Sequence, residues 1–379
     1  MRRVHIIFSL VLILSFAACK SSKKQFEKGN YETAVLLAVK KLRSKPDHRN
    51  SKVILKEAYK AAQGNAIASI DLKKSSNDEF KWDAIIDQYR RLNALYTELL
   101  RCSSCLNEVS PKSYQLALNK ALDAGAEVHF KYGKKLLVTK EKSNARLAYL
   151  QFKKTLEYKS NYTGAENLLN ESIVIGREII ALSSLPVASG DLELSSQFFV
   201  QQMVQSLNRA GYFFASFYSL DELNDNKLRY DQLVDIKFDG YSIGQTYVKE
   251  KVENLARDSV QVATIKDSLG IKQPVYGSVE AELHLFYKSI ESYGLLDLKI
   301  INPTTDQIVY QNKFPGSAVW EYQWGFYQGD KRALTKGELE ICQLKEQLPP
   351  VPQELFIAFT EPIFDQVLYR LKSIFNNLR

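Results

Sequence analysis

Histidine, cysteine, methionine and tryptophan are all scarce in this chain, and the first two set narrow limits on its catalytic chemistry. With four histidines and four cysteines in 379 residues, a multi-ligand metal centre or a cysteine–histidine nucleophile has few side chains to draw on. His48, His129 and His284 are each isolated in sequence. The chain has no phosphate-cradling G-x-x-x-x-G-K-[ST], no G-x-S-x-G and no H-E-x-x-H. Glu280 and Glu282 lie two apart, on one face of a predicted strand. They read as a solvated surface rather than as a glycosidase pair, whose carboxylates face each other across a cleft. No enzyme activity, cofactor or metal is expected. Long hydrophobic runs are missing too: the longest apolar stretch, Val4–Phe16, falls short of the roughly 20 residues that a spanning helix needs. The formal charge of +8 is spread among interleaved acids. It forms no concentrated basic stripe, which argues against nucleic acid. A modest positive field suits anionic wall polymer or lipid headgroups, and a plain solvated surface suits it better still.

What is present at the start is an address. Arg2 and Arg3, then the apolar run, then Ala17-Ala18 read as an export signal over residues 1–18. Phe16-Ala17-Ala18-Cys19 resembles the bacterial lipobox, whose cysteine is acylated, palmitate included, and becomes the mature N-terminus. By that resemblance Cys19 ties the protein to a membrane, with each buried methylene of the acyl chains contributing about 0.8 kcal/mol. Residues 19–24, with Lys20-Ser21-Ser22-Lys23-Lys24, read as a polar leash. Asp, the inner-membrane retention signal of that family, does not follow the cysteine. The resemblance therefore implies the periplasmic face of the outer membrane.

Cys102 and Cys105 form one C-x-x-C, and Cys342 stands alone. A single pair without a nearby histidine argues against zinc. In an oxidising compartment the pair can close a disulfide. Its place after the helical pattern "WDAIIDQYRRLNALYTELL" favours a structural clip at a helix end over redox chemistry, which needs the motif to open a helix after a strand.

From residue 25 to 182 the apolar spacing is helical, and Pro and Gly are scarce. "GNYETAVLLAVKKLRSKP" resembles the second helix of a tetratricopeptide repeat. Gly29 and Tyr31 stand at the turn, Ala34 at the small packing position and Pro46 at the stop. "NARLAYLQFKKTLEYKSNYTGAENLL" looks like another such helix entering a further repeat, with Ala148 at the packing position. The 34-residue period is lost between Asn65 and Asp123, and an irregular helical bundle accounts for the same pattern. Either arrangement binds rather than catalyses.

Residues 183–190 gather Ser, Pro and Gly and read as a linker. Over 191–379 the pattern changes: a helix ending at Gly211, strands at "YFFASFYSL" and "LVDIKFDGYSI" with a turn at Asp239-Gly240, and an alternating strand "YGSVEAELHLFYKSI". "LLDLKIINPTTDQIVYQNKF" reads as two strands joined at Pro303–Asp306, and an amphipathic helix closes the chain. The fold class is therefore α plus α+β, tetratricopeptide-like helices followed by a sheet domain packed with helices. The order over Leu192–Leu378 resembles the α/β domain of the curli-secretion lipoprotein and of a peptidoglycan-synthase activator lipoprotein, and carries no catalytic motif with it.

The densest signal is "GSAVWEYQWGFYQGDKRAL". Trp320, Tyr322, Trp324, Phe326 and Tyr327, with Arg332 just after, are either a strand's core face or exposed anchors for a partner. The sequence thus points to a lipid-anchored periplasmic adaptor that binds another envelope component of the secretion or wall-synthesis machinery. A glycan- or peptidoglycan-binding, wall-remodelling lipoprotein is the alternative.

Overall fold

The computed structural model describes residues 21–378 apart from Asp267 and Leu269. The signal at 1–18 and Cys19 lie outside the described residues. The chain forms two compact units that divide after Gly176: a helical N-terminal unit and a C-terminal unit built on a six-stranded sheet with helices. The class is α plus α+β.

The first unit begins where a leash was expected. Residues Ser22–Glu27 form α1, because the Ser21 hydroxyl accepts from the Lys24 N–H at 3.1 Å and caps the first turn. Gly29, at φ +77°, takes the left-handed turn that a side chain resists and leads into α2 (Tyr31–Ser44). Lys45 leaves helical geometry at φ −141°, ψ 85°, as the residue ahead of a proline tends to. Then follow α3 (Arg49–Lys74), α4 (Lys81–Leu100), the single turn α5 (Ser103–Leu106), α6 (Gln115–Leu137), α7 (Lys142–Tyr158) and α8 (Ala165–Gly176). Ala34 and Ala38 of α2 and Ala58 and Ala62 of α3 are buried together with Leu42 and Leu55, so small residues let these two backbones approach. A second pairing joins α6, α7 and α8 around Ala145, Ala148 and Phe152. A Cβ at Gly133 would lie 2.8 Å from the Phe152 ring, so the glycine makes room for that ring, whose full burial contributes about 2–3 kcal/mol.

The second unit starts earlier than the Ser/Pro/Gly-rich stretch suggests. Glu178–Leu182 is not the end of a helix but strand β1, paired in parallel with β2 (Ala215–Ser219) and with β3 (Gln232–Ile243). Residues 183–190 are therefore a connection inside the sheet unit, leading through a tight turn at Gly190–Leu192 into α9 (Glu193–Asn208). After β2 comes α10 (Leu220–Asp225). Asp239-Gly240 is a bulge rather than a turn: β3 runs through it, and the register against β5 (Lys272–Asn302) shifts between Phe238 and Gly240. Strands β4 (Tyr247–Lys266), β5 and β6 (Gln307–Gly329) form an antiparallel ribbon, with the turn between β5 and β6 at Pro303–Asp306. The chain closes with α11 (Lys336–Ile341) and α12 (Pro352–Ile374).

Strand β5 serves two cores in opposite phase. Val279, Ala281, Leu283 and Leu285 are buried on one face with Ala333 and Leu334. From Lys288 onward Ile290, Ser292, Gly294, Leu296, Leu298 and Ile300 are buried on the other. Helix α12 covers that second face. Gly294 and Gly316 are register partners, and a Cβ on either would come within 2.6 Å of Phe359 atoms.

Candidate interaction surface

The aromatic segment lies in β6, and its neighbours are set by the register. His284 pairs with Phe326, Phe286 with Trp324, Lys288 with Tyr322 and Ile290 with Trp320. Because side chains alternate along a strand, these eight residues share one face. The rings form a continuous stack, Trp320–Tyr322–Trp324–Phe286–Phe326–His284, with centroid separations of 4.4–6.2 Å and interplanar angles of 8–27°. Their planes run nearly parallel along the row. The stack is neither core nor free surface: Trp320, Tyr322 and Trp324 are half-buried and Phe326 is 44% exposed. Val248 and Val252 of β4, opposite Lys288 and His284, widen the patch and are about half exposed.

Two of the residues expected with this cluster are elsewhere. Tyr327 alternates to the opposite face, where it packs on the Val279–Leu285 core. Arg332 is engaged with Asp330 through both carboxylate oxygens and donates from Nη1 to the Gln261 carbonyl at 2.6 Å. That pairing holds the Asp330 carboxyl down at about 2. Sequence proximity groups them; strand alternation and a local ion pair separate them.

Three residues missed in the sequence complete the site. The connection between α11 and α12 carries Lys345, Glu346 and Gln347 past the stack, without helix or strand. The Tyr322 hydroxyl donates to the Lys345 carbonyl at 2.9 Å. Lys288 Nζ donates to the Gln347 carbonyl at 3.0 Å, pairs with the Glu346 carboxylate, and lies 5.1 Å from the Trp324 ring centre. Lys288 is 5% exposed. No local signal marks this contact, since it joins residues far apart in sequence.

His284 is not a bare strand-face histidine. Nδ1 meets Glu250 Oε1 at 2.7 Å and Nε2 meets Glu282 Oε1 at 2.9 Å. Two carboxylates can both be satisfied only by the doubly protonated ring. The Glu250 hydrogen bond, reinforced by Glu282, raises the imidazole above its ordinary 6.5 against desolvation. Among the described residues, no group of three His, Cys, Asp or Glu side chains could hold a metal ion.

In the helical unit, Cys102 and Cys105 are joined in a disulfide with Cα atoms 5.2 Å apart. Both are buried against Leu42, Leu95 and Leu99 at the end of α4, away from any thiol in solution. Gly29, Tyr31, Ala34, Pro46 and Ala148 stand at turns and helix contacts within the helical unit. A part-buried polar network links α4, α6 and α7: Asp83 Oδ1 accepts from Tyr158 at 2.7 Å and meets His129 Nε2 at 2.9 Å, while His129 Nδ1 meets Gln151 Oε1 at 2.7 Å.

No family model matches the chain, and no curated protein matches it. Among solved structures, a neuraminyllactose-binding hemagglutinin homolog from Helicobacter pylori is similar at 9% identity over 52% of this chain and 84% of that chain, with a TM-score of 0.22. Similarity at that level carries no argument here.

Proposed function

We propose that the protein is an adaptor of the bacterial envelope, held by lipid on Cys19 at the periplasmic face of the outer membrane, and that the ring stack of the sheet unit is its contact with a protein partner. The observation that carries this reading is the mixed composition of the patch. Near-parallel rings flanked by the half-exposed Val248 and Val252 offer the mixed aromatic and aliphatic surface that protein interfaces bury. The address rests on the lipobox resemblance, and no helix among the described residues is long and apolar enough to cross a membrane.

The test is crosslinking in intact envelopes with mass spectrometry on the captured chain. A reproducible envelope protein, lost on Phe326→Ala with Val252→Ser, supports the adaptor. Recovery of wall fragments without a protein replaces it with the glycan-binding reading.

A further inference from the structure

We infer that Lys288 and Tyr322, with Trp324 beside Lys288, form a site for an extended peptide of the partner that carries a carboxylate followed by proline, and that the chain's own residues 345–347 occupy that site as an internal stand-in. The inference deepens the adaptor reading and rests on it for the identity of the peptide's source.

Three properties of the contact carry it. First, two of the three attachments are to main-chain carbonyls, those of Lys345 and Gln347. Any extended chain presents carbonyls at that spacing, so a foreign segment can reproduce them. The third attachment, Glu346 to Lys288, supplies the chemical requirement. An ammonium that is 5% exposed beside an indole needs an anion and acceptors, because a desolvated charge without them is costly. Second, the segment's own side chains bury little: residues 343–348 are exposed, with Leu348 at 84%. A few hydrogen bonds hold it rather than a core, so a competitor can displace it. Third, Leu348-Pro349-Pro350-Val351-Pro352 follows directly. Proline fixes its own φ and pushes its predecessor to extended backbone, and Val351, ahead of Pro352, sits at φ −69°, ψ 155°. Pre-extended proline-rich segments docking on aromatic residues are a recurring recognition mode.

The experiment uses the full chain with Trp82→Phe, which leaves Trp320 and Trp324 as the fluorophores, and the synthetic peptide QLKEQLPPVP, the sequence of residues 343–352. In one variant residues 344–350 are replaced by Gly and Ser at equal length. In a second, Glu346→Gln loosens the segment without touching its backbone. The expected result is tryptophan-detected peptide binding about tenfold or more tighter in the opened chain than in the native one, since the tethered segment competes at high effective concentration. Glu346→Gln should give a smaller gain, and adding Lys288→Met to the opened chain should abolish binding. A folded opened chain that binds no peptide, or binds it equally with Lys288→Met, overturns the inference. If the opened chain does not fold, absence of any gain in Glu346→Gln overturns it. Because these readings are made on the isolated chain, they can fail while envelope crosslinking succeeds through Phe326 and Val252, and the reverse.

Discussion

Lys288 and Tyr322 stand directly opposite each other in the β5–β6 ladder, and between them they hold three consecutive residues of the connection from α11 to α12. Removing that hold should free the segment. In Lys288→Met, trypsin is expected to cut after Lys345 several-fold faster than in the native chain while helix content is unchanged. Equal rates would mean that the connection is held by something else.

Gly294 and Gly316 let α12 lie directly on the sheet. A Cβ at Gly316 would meet the Phe359 carbonyl oxygen at 2.4 Å and Ile363 at 2.5 Å, one of them main chain that cannot swing aside. Gly316→Ala is expected to destabilise the protein by about 1–3 kcal/mol, the usual cost of overpacking, read as a lower midpoint in urea. Gly337→Ala in α11, where nothing lies within 4 Å, serves as the control without overpacking and should leave stability unchanged or slightly raised.

The Asp83–His129–Tyr158 network sets a pH window. Burial pushes the His129 imidazole down, but its hydrogen bonds to Asp83 and Gln151 outweigh that and leave it above its ordinary 6.5. Its stabilisation is complete below that value and is lost as pH rises through the folded-state pKa. Burial likewise pushes Asp83 up, and the bonds from His129 and Tyr158 outweigh it, leaving the carboxyl below 3.8. Its contribution is present above 3.8 and is lost as pH falls through the lowered value. The pair together therefore stabilises most between about pH 4 and 6.5. Asp83→Asn should lower the melting temperature most in that window and flatten its pH dependence; a uniform loss at every pH would count against the network.

The disulfide closes only the short loop from Cys102 to Cys105, so its stabilisation in the chain-entropy account is about 2 kcal/mol. Cys102→Ser with Cys105→Ser should lower the melting temperature modestly. Among the described cysteines a maleimide should label only Cys342, which is half-buried and free. Labelling of Cys102 and Cys105 without a reductant would show that the pair is not oxidised.

Much of the fold is legible in the sequence because local rules act locally. The polar run Pro303–Asp306 between two alternating segments is a hairpin connection, and Gly29 and Pro46 bracket α2. The failures are non-local. "EIIAL" is too short for periodicity to separate strand from helix, so the helical pattern runs on to residue 182 while the unit ends at Gly176. Asp239-Gly240 carries a turn dipeptide, but partners across β5 turn it into a bulge. The ring stack could be located, not its composition: Phe286 and His284 enter it from another strand, and Tyr327 leaves by alternation. The Lys345–Gln347 contact has no signature at all, since two carbonyls and one ordinary glutamate make it.

The opposite phasing of β5 has an evolutionary consequence. Because Val279–Leu285 and Ile290–Ile300 address different faces, a one-residue insertion or deletion at Phe286–Tyr287 would bring both apolar sets to the same side and strip one core of its wall. Length variation among descendants of this chain should therefore collect in the β4–β5 and β5–β6 connections and in the segment ahead of α9, while the middle of β5 drifts by substitution alone.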